Sequence, residues 1–127
     1  MKSKLVLSVV AVTLFLCIST PLLAEDAPVL RVVVVQTDNP DAYVKEIEKG
    51  RALMKRLDVT GKTRVWKAKF AGHDAGNIVV SIEYPSLAAL AKDDEKTTAD
   101  PAYQAWLKDL DKMRKIVSDS LYTESKP

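Results

Sequence analysis

Cysteine is almost missing from this chain. The single one, Cys17, lies inside an apolar N-terminal run, so residues 25–127 can build no disulfide framework, thiol nucleophile or cysteine-ligated metal site. Histidine is as scarce. His73 is the only one, which leaves no second imidazole for a dedicated zinc site and confines histidine chemistry to one position. An excess of one charge sign is lacking too. The chain carries 19 basic and 17 acidic residues; Lys2 and Lys4 belong to the N-terminal run, and the remainder holds 17 of each sign. A neutral surface with interspersed signs has no bulk field to draw nucleic acid or an anionic membrane. Gly-rich phosphate loops, nucleophile elbows and metal motifs do not occur, and no motif implies a cofactor.

What is present begins with an export signal. Lys2 and Lys4 precede the apolar stretch Leu5–Leu16, Thr20-Pro21 breaks it, and Leu22-Leu23-Ala24 leads into Glu25-Asp26. That is the layout of a secretory signal peptide, residues 1–24, cleaved after Ala24. An uncleaved anchor is the alternative, since about 20 apolar residues can span a bilayer. Pro21, the small Ala24 and the absence of a basic stop-transfer flank favour cleavage. A lipidated Cys17 is a third possibility, but Cys17 follows Leu16 rather than a small residue. The expectation is a secreted, periplasmic protein with no membrane attachment after cleavage, in which residues 25–127 form one domain.

The domain is organised around Thr63–Tyr84. Arg64, Trp66, Ala68 and Phe70 alternate with Val65, Lys67, Lys69 and Ala71, and Ile78, Val80 and Ile82 alternate with Val79, Ser81 and Glu83. This period of two predicts a pair of strands, joined into a hairpin by Gly72-His73-Asp74-Ala75-Gly76. Upstream, Leu30–Gln36 is a valine run of the kind found in central strands. Asn39-Pro40 then caps a helix whose stripe is Tyr43, Ile47, Gly50, Met54 and Leu57. Downstream, Pro85-Ser86 opens a helix with Leu87, Leu90 and Ala91 on its apolar side, and the charged run Lys92–Lys96 reads as its solvated end. Asp100-Pro101 starts another, buried through Tyr103, Trp106, Leu107, Leu110 and Met113, and Ile116–Tyr122 is a last strand.

The order is β-α-β-β-α-β with its second helical segment split, an α+β, ferredoxin-like arrangement with a four-stranded antiparallel sheet and helices on one face. Placing Trp66, Phe70, Val80 and Ile82 on one face leaves Val33, Val35, Val65, Val79, Val117 and Leu121 for the other. Two apolar faces and one helical layer predict a second cover, most simply a second copy in a homodimer.

The Val-rich first strand, Trp66–Gly72, Val79–Leu90, Asp100–Trp106 and Ser120–Tyr122 resemble the dimeric α/β-barrel superfamily that includes antibiotic-biosynthesis monooxygenases and NIPSNAP-type proteins. The resemblance implies two subunits with opposed sheets enclosing a barrel, and a small ligand inside it or between sheet and helices. It also brings two chemistries into view. Haem-degrading members use an Asn, a Trp and a haem-ligating His; cofactor-free monooxygenases lean on Asn and Trp. Here Trp66 and Trp106 are present, but the Asn residues are only Asn39, a helix cap, and Asn77, at a strand start. His73 sits in a turn. The candidate ligand-binding residues are therefore Trp66, Lys67, Lys69, Phe70, His73, Ser81 and Glu83. Lys67, Lys69, Ser81 and Glu83 are expected on the face opposite Trp66 and Phe70, with Arg31 and Asp119 nearby. A paired, salt-bridged interface or a guarded sheet edge is the plainer account of those charges. The reading is a barrel that binds a small ligand, with a cofactor-independent monooxygenase as the alternative and no metal site; whether the chain is an enzyme stays open.

Overall fold

The computed structural model describes residues 27–127, so the expected signal peptide lies outside the described residues. The elements are β1 (Val29–Gln36), α1 (Pro40–Arg56), β2 (Lys62–Lys67), a 3-10 turn (Gly72–Asp74), β3 (Ile78–Tyr84), α2 (Leu87–Ala99), α3 (Pro101–Asp111) and β4 (Lys115–Thr123). The strands form one antiparallel sheet in the order β2-β3-β1-β4. That is the ferredoxin-like α+β arrangement, with the valine-rich β1 in the interior of the sheet.

Local chemistry sets the helix starts. The Asn39 side chain accepts from the Ala42 N–H at 3.1 Å, Pro40 opens α1, and Asp41 sits in its first turn. Ser86 caps α2 through the Ala89 N–H at 3.0 Å, and Asp100 caps α3 through the Tyr103 N–H at 2.8 Å. The α1 stripe buries Tyr43, Ile47 and Gly50. These pack with Trp106 and Leu110 of α3 on the sheet residues Val33, Val35, Ile78 and Val80.

Gly50 is where α3 meets α1 most closely. A Cβ there would collide with the six-membered ring of Trp106. The same indole donates its N–H to the Glu46 carbonyl at 2.9 Å, one turn earlier on α1. Packing thus overrides the helix propensity that disfavours glycine.

Three expectations are corrected. The first strand of the hairpin ends at Lys67 instead of continuing through Ala71. The Ala68 N–H still donates to the Asn77 carbonyl at 2.9 Å and the Gly76 N–H to the Ala68 carbonyl at 2.8 Å, closing a loop whose Gly72 and Gly76 have positive φ. Second, the charged run Lys92–Lys96 lies within α2, and Asp93 is buried. Its carboxylate accepts from the Thr60 N–H at 2.9 Å, the Thr60 hydroxyl at 3.0 Å and the Gly61 N–H at 2.8 Å, tying α2 to the α1–β2 connection. Leu87, expected on the apolar side of that helix, is exposed instead.

The third correction concerns the faces. Trp66 pairs with Val79, Arg64 with Ser81 and Val65 with Val80. Directly opposed residues of an antiparallel pair share a face, so Trp66 lies with Val79, Ser81 and Glu83. Val80 and Ile82 face the helices together with Val33, Val35 and Val65. The register is offset by one residue from an assignment that groups Trp66 with Val80, and one residue is enough to exchange the faces.

The contact between Gly50 and Trp106 supplies a test. Gly50→Ala gains about 1 kcal/mol of helix propensity, whereas overpacking a close contact costs about 1–3 kcal/mol. The expected outcome is a net loss of stability, read as a lower urea midpoint with an unchanged slope. A more stable variant would show that the contact is not tight.

Candidate functional site

The face of the sheet without helices is a grid. Its rungs, read across the strands, are Lys62–Glu83–Leu30–Tyr122, Arg64–Ser81–Val32–Ser120 and Trp66–Val79–Val34–Ser118. An open concavity of about 630 Å³ lies over it, lined by Leu30, Val32, Arg64, Trp66, Ser81 and Glu83 among others. Trp66 is the largest side chain on this face and is 52 % exposed. Its indole N–H donates to the Ser81 hydroxyl at 2.8 Å, across the strand pair and one rung along. Ser81 is itself buried, so the bond fixes the indole in the plane it occupies. The Arg64 guanidinium stands 3.9 Å from the Glu83 carboxylate, both well exposed. The site therefore offers an apolar floor, one immobilised aromatic plane and a loose ion pair.

A second cavity, of about 460 Å³, lies between the helices and the other face. Val33, Val80 and Ile82 line it from the sheet, Tyr103 and Trp106 from α3, and Arg114 from the turn before β4. Tyr103 and Trp106 pack as a tilted aromatic pair with ring centres 5.1 Å apart. Burial pushes the Tyr103 hydroxyl up from its ordinary value and Tyr84 up to about 12, so both are neutral at physiological pH. The Arg114 guanidinium donates to the hydroxyl of the fully buried Tyr43 at 3.1 Å and to Asp111 at 2.8 Å. On the same side, Arg31 donates to both carboxylate oxygens of Asp119, at 2.9 and 2.6 Å. That hydrogen bond holds the Asp119 carboxyl below the usual carboxylate range.

The seven residues singled out from the sequence separate. Trp66, Ser81 and Glu83 come together on the open face. Lys67 pairs with Ile78 and by register belongs to the helix side. Lys69, Phe70 and His73 are exposed in the β2–β3 loop, beyond the end of β2. His73 is solvated, with Asp74 at 3.5 Å. Arg31 and Asp119 do pair, but on the helix side, away from Ser81 and Glu83. Sequence reasoning missed Arg64, Leu30 and Val32 on the open face and Arg114 in the helix-side cavity. Counting rungs back from Ser81 would have found Arg64, had the register been known; no local signal marks Arg114. Among the described residues no group of three or more His, Cys, Asp or Glu side chains is placed to hold a metal ion.

The solved structures agree on the architecture. The chain is similar to SnoaB, a cofactor-independent oxygenase from Streptomyces nogalater, with 12 % identity and a TM-score of 0.61 over 80 % of this chain and 96 % of that one. It is similar to a NIPSNAP family protein from Agrobacterium tumefaciens, with 14 % identity and a TM-score of 0.61 over 80 % of this chain and 91 % of that one. A NIPSNAP-like domain protein from Burkholderia xenovorans shows 12 % identity and a TM-score of 0.58 over 81 % and 88 %. The fold is that of the antibiotic-biosynthesis monooxygenase and NIPSNAP-type proteins. No family model matches the sequence, and no curated protein matches it closely enough to count. At identities this low the likeness to the monooxygenase and NIPSNAP structures concerns the backbone alone.

The Arg31–Asp119 pair gives a pH dependence with a definite sign. A carboxyl whose folded value lies below its unfolded one stabilises the fold above the unfolded value, and that contribution disappears as pH falls through the folded value. Both side chains are more than a third exposed, so the contribution is below about 1 kcal/mol. Asp119→Asn is expected to lower the urea midpoint slightly at pH 7, and the gap to the parent chain should close below about pH 4. A gap that persists in acid would mean the asparagine acts by some other route.

Proposed function

We propose that this chain is exported, loses residues 1–24, and works as a homodimer whose opposed sheets enclose a chamber for a small organic ligand. The observation that carries the reading is the Trp66 indole, fixed by Ser81 yet half exposed above an apolar sheet face that no helix covers. Leu30, Trp66 and Tyr122 are all exposed on this face, and clustered exposed apolar side chains mark an interface or a ligand site. Ligand pockets run from about 300 to 1,000 Å³, and are mostly apolar with a few placed polar groups. The concavity of about 630 Å³ over Leu30 and Val32, with Arg64 and Glu83 at its edge, matches that description. The ligand class this favours is a partly aromatic molecule with one polar end. Nucleic acid and lipid bilayers have no corresponding surface charge to meet.

The second reading is a cofactor-independent oxygenase. It is favoured by the likeness to SnoaB and by the helix-side cavity, where Tyr103 and Trp106 form an aromatic wall. In that reading the reaction takes place in the helix-side cavity, and the open face serves only assembly.

Native mass spectrometry of the exported protein tests the first reading. The expected species is a dimer of chains beginning at Glu25 that carries additional non-covalent mass. In Trp66→Ala ligand affinity should fall about tenfold or more, as for a central aromatic contact, and dimerisation through the same face should weaken with it. Ligand-dependent thermal stabilisation should shrink in parallel. A bare monomer retaining residues 1–24 would overturn the proposal. Oxygen consumption that survives Trp66→Ala but fails in Tyr103→Phe would favour the oxygenase.

A further inference from the structure

We infer that the ligand of the open face is an aryl carboxylate, whose ring lies on Trp66 and whose carboxylate accepts the paired N–H groups of Arg64. This inference rests on the ligand site proposed above, not on the homodimer, and specifies the chemistry of the molecule that fills it.

The other arginines of this chain are all hydrogen-bonded. Arg31 donates to Asp119, Arg56 to Asp100 at 2.6 Å, and Arg114 to Asp111 and Tyr43. Arg51 donates to Glu48 and to the Thr63 carbonyl. Arg64 makes no hydrogen bond among the described residues, and the Glu83 oxygen nearest to it is 3.9 Å away. A guanidinium carries five N–H donors in a planar fork and keeps its charge at any ordinary pH. Here that fork lines a concavity floored by Leu30 and Val32, with its donors unclaimed by the fold.

The local charge favours an anion. The corner of the sheet around Arg64 holds Lys62, Arg64 and Glu83, two cations against one carboxylate. Lys62 is directly opposite Glu83 on the same face, whereas Arg64 is opposite Ser81, one rung along. Glu83 therefore has a cross-strand countercharge in Lys62, and one positive charge is left over. The concavity is also lined by Glu124, just past the end of β4. β4 lies three strand spacings from β2, about 14 Å. Glu124 repels an anion from that edge and so directs a carboxylate toward Arg64.

The kind of anion follows from the neighbours. A planar fork matches a carboxylate through two parallel hydrogen bonds. Glu83, on the same face, penalises a dianion such as a phosphomonoester more than a single charge. An ammonium is drawn to an aromatic face, but Arg64 and Lys62 repel it. Arg64 and Trp66 are two residues apart on one strand, so about 7 Å separates their positions along it. A ring joined to a carboxylate by a short saturated chain spans that distance. With its N–H on Ser81 at 2.8 Å, the indole offers only its face, and the ligand's ring is held there by stacking and apolar contact.

Three matched probes test this: 3-(2-naphthyl)propionate, its primary amide, and 3-(2-naphthyl)propylamine, each titrated by calorimetry into the exported protein at pH 7 and low salt. The acid should bind about tenfold or more tightly than the amide, as charge-assisted hydrogen bonds predict, and the amine should bind least. Arg64→Gln should bring the acid down to the amide's affinity and leave the amide unchanged. Arg64→Lys should fall between, because an ammonium keeps the charge without the fork. Glu83→Gln should tighten the acid, since a competing carboxylate is removed. Unchanged amide binding in each variant reports an intact β2. Equal binding of acid and amide to the parent chain, or a preference for the amine, overturns the carboxylate while the aromatic site stands. An acid that keeps its affinity in Arg64→Gln overturns it as well. Binding by none of the three removes the site over Trp66 and the inference with it. Should Arg64→Gln disturb the edge strand, the ratio of acid to amide in the parent chain decides alone.

Discussion

In an antiparallel sheet the residues that face each other across a pair are on the same side, and the pairing of β3 with β2 and β1 therefore assigns a side to every residue in this molecule. Because Trp66 pairs with Val79 and Val33 with Val80, Val33, Val35, Ile78 and Val80 form the floor of the helical core, and the open face receives Trp66, Ser81 and Glu83. No local preference of those residues demands this assignment. It is fixed by how many residues of the β2–β3 connection lie between the last and first rungs, and by the two glycines that let the loop close. A slip of one residue in the pairing would carry the indole to the helix side and away from Ser81.

On the helical side, packing leaves little freedom. Trp106 rests on the Cα of Gly50 and hydrogen-bonds the backbone of α1, so α3 has one place to sit. Asp93 fixes α2 in the same manner, by satisfying two backbone N–H groups and a hydroxyl of the Thr60–Gly61 turn. Three helices thereby pack on one face, leaving its β4 edge exposed at Ile116 and Leu121, and none packs on the other. The open face follows from the order of the elements.

The positions of strands and helices were legible in the sequence because they depend on signals a few residues apart. Asn39-Pro40, Ser86 and Asp100-Pro101 cap helices through side-chain bonds spanning three residues, and the stripe from Tyr43 to Gly50 needs only the helical period. What stayed hidden depends on distant partners. Asp93 looked like one of five solvated charges, since Thr60 and Gly61 lie more than 30 residues away. Lys69 and Phe70 continued the alternation of β2 on paper, yet the ladder ends at Lys67 because the chain must turn toward Gly72. The site was half legible for the same reason. Trp66, Ser81 and Glu83 were named from residue type and brought together by the register, whereas Arg64 joins them only once the rungs are counted, and His73 stays in solvent.

The hydrogen bond from Trp66 to Ser81 also limits what the open face can recognise. An indole whose N–H is already satisfied within the sheet presents only its apolar surface, so a molecule that meets it is selected by shape and by its own π-face. Polar selection falls to Arg64 and Glu83, one and two rungs away, with rungs about 7 Å apart along a strand. A ligand that meets both features spans that distance with an apolar end on Trp66 and a polar end toward the ion pair. The same side chains are the ones a second subunit would cover, so ligand binding and assembly draw on one surface. A ligand held between two sheets stabilises the dimer by its preference for the dimer over the monomer, and dimerisation raises ligand affinity by the same factor. In such a dimer, ligand occupancy and oligomeric state would be two readings of a single equilibrium.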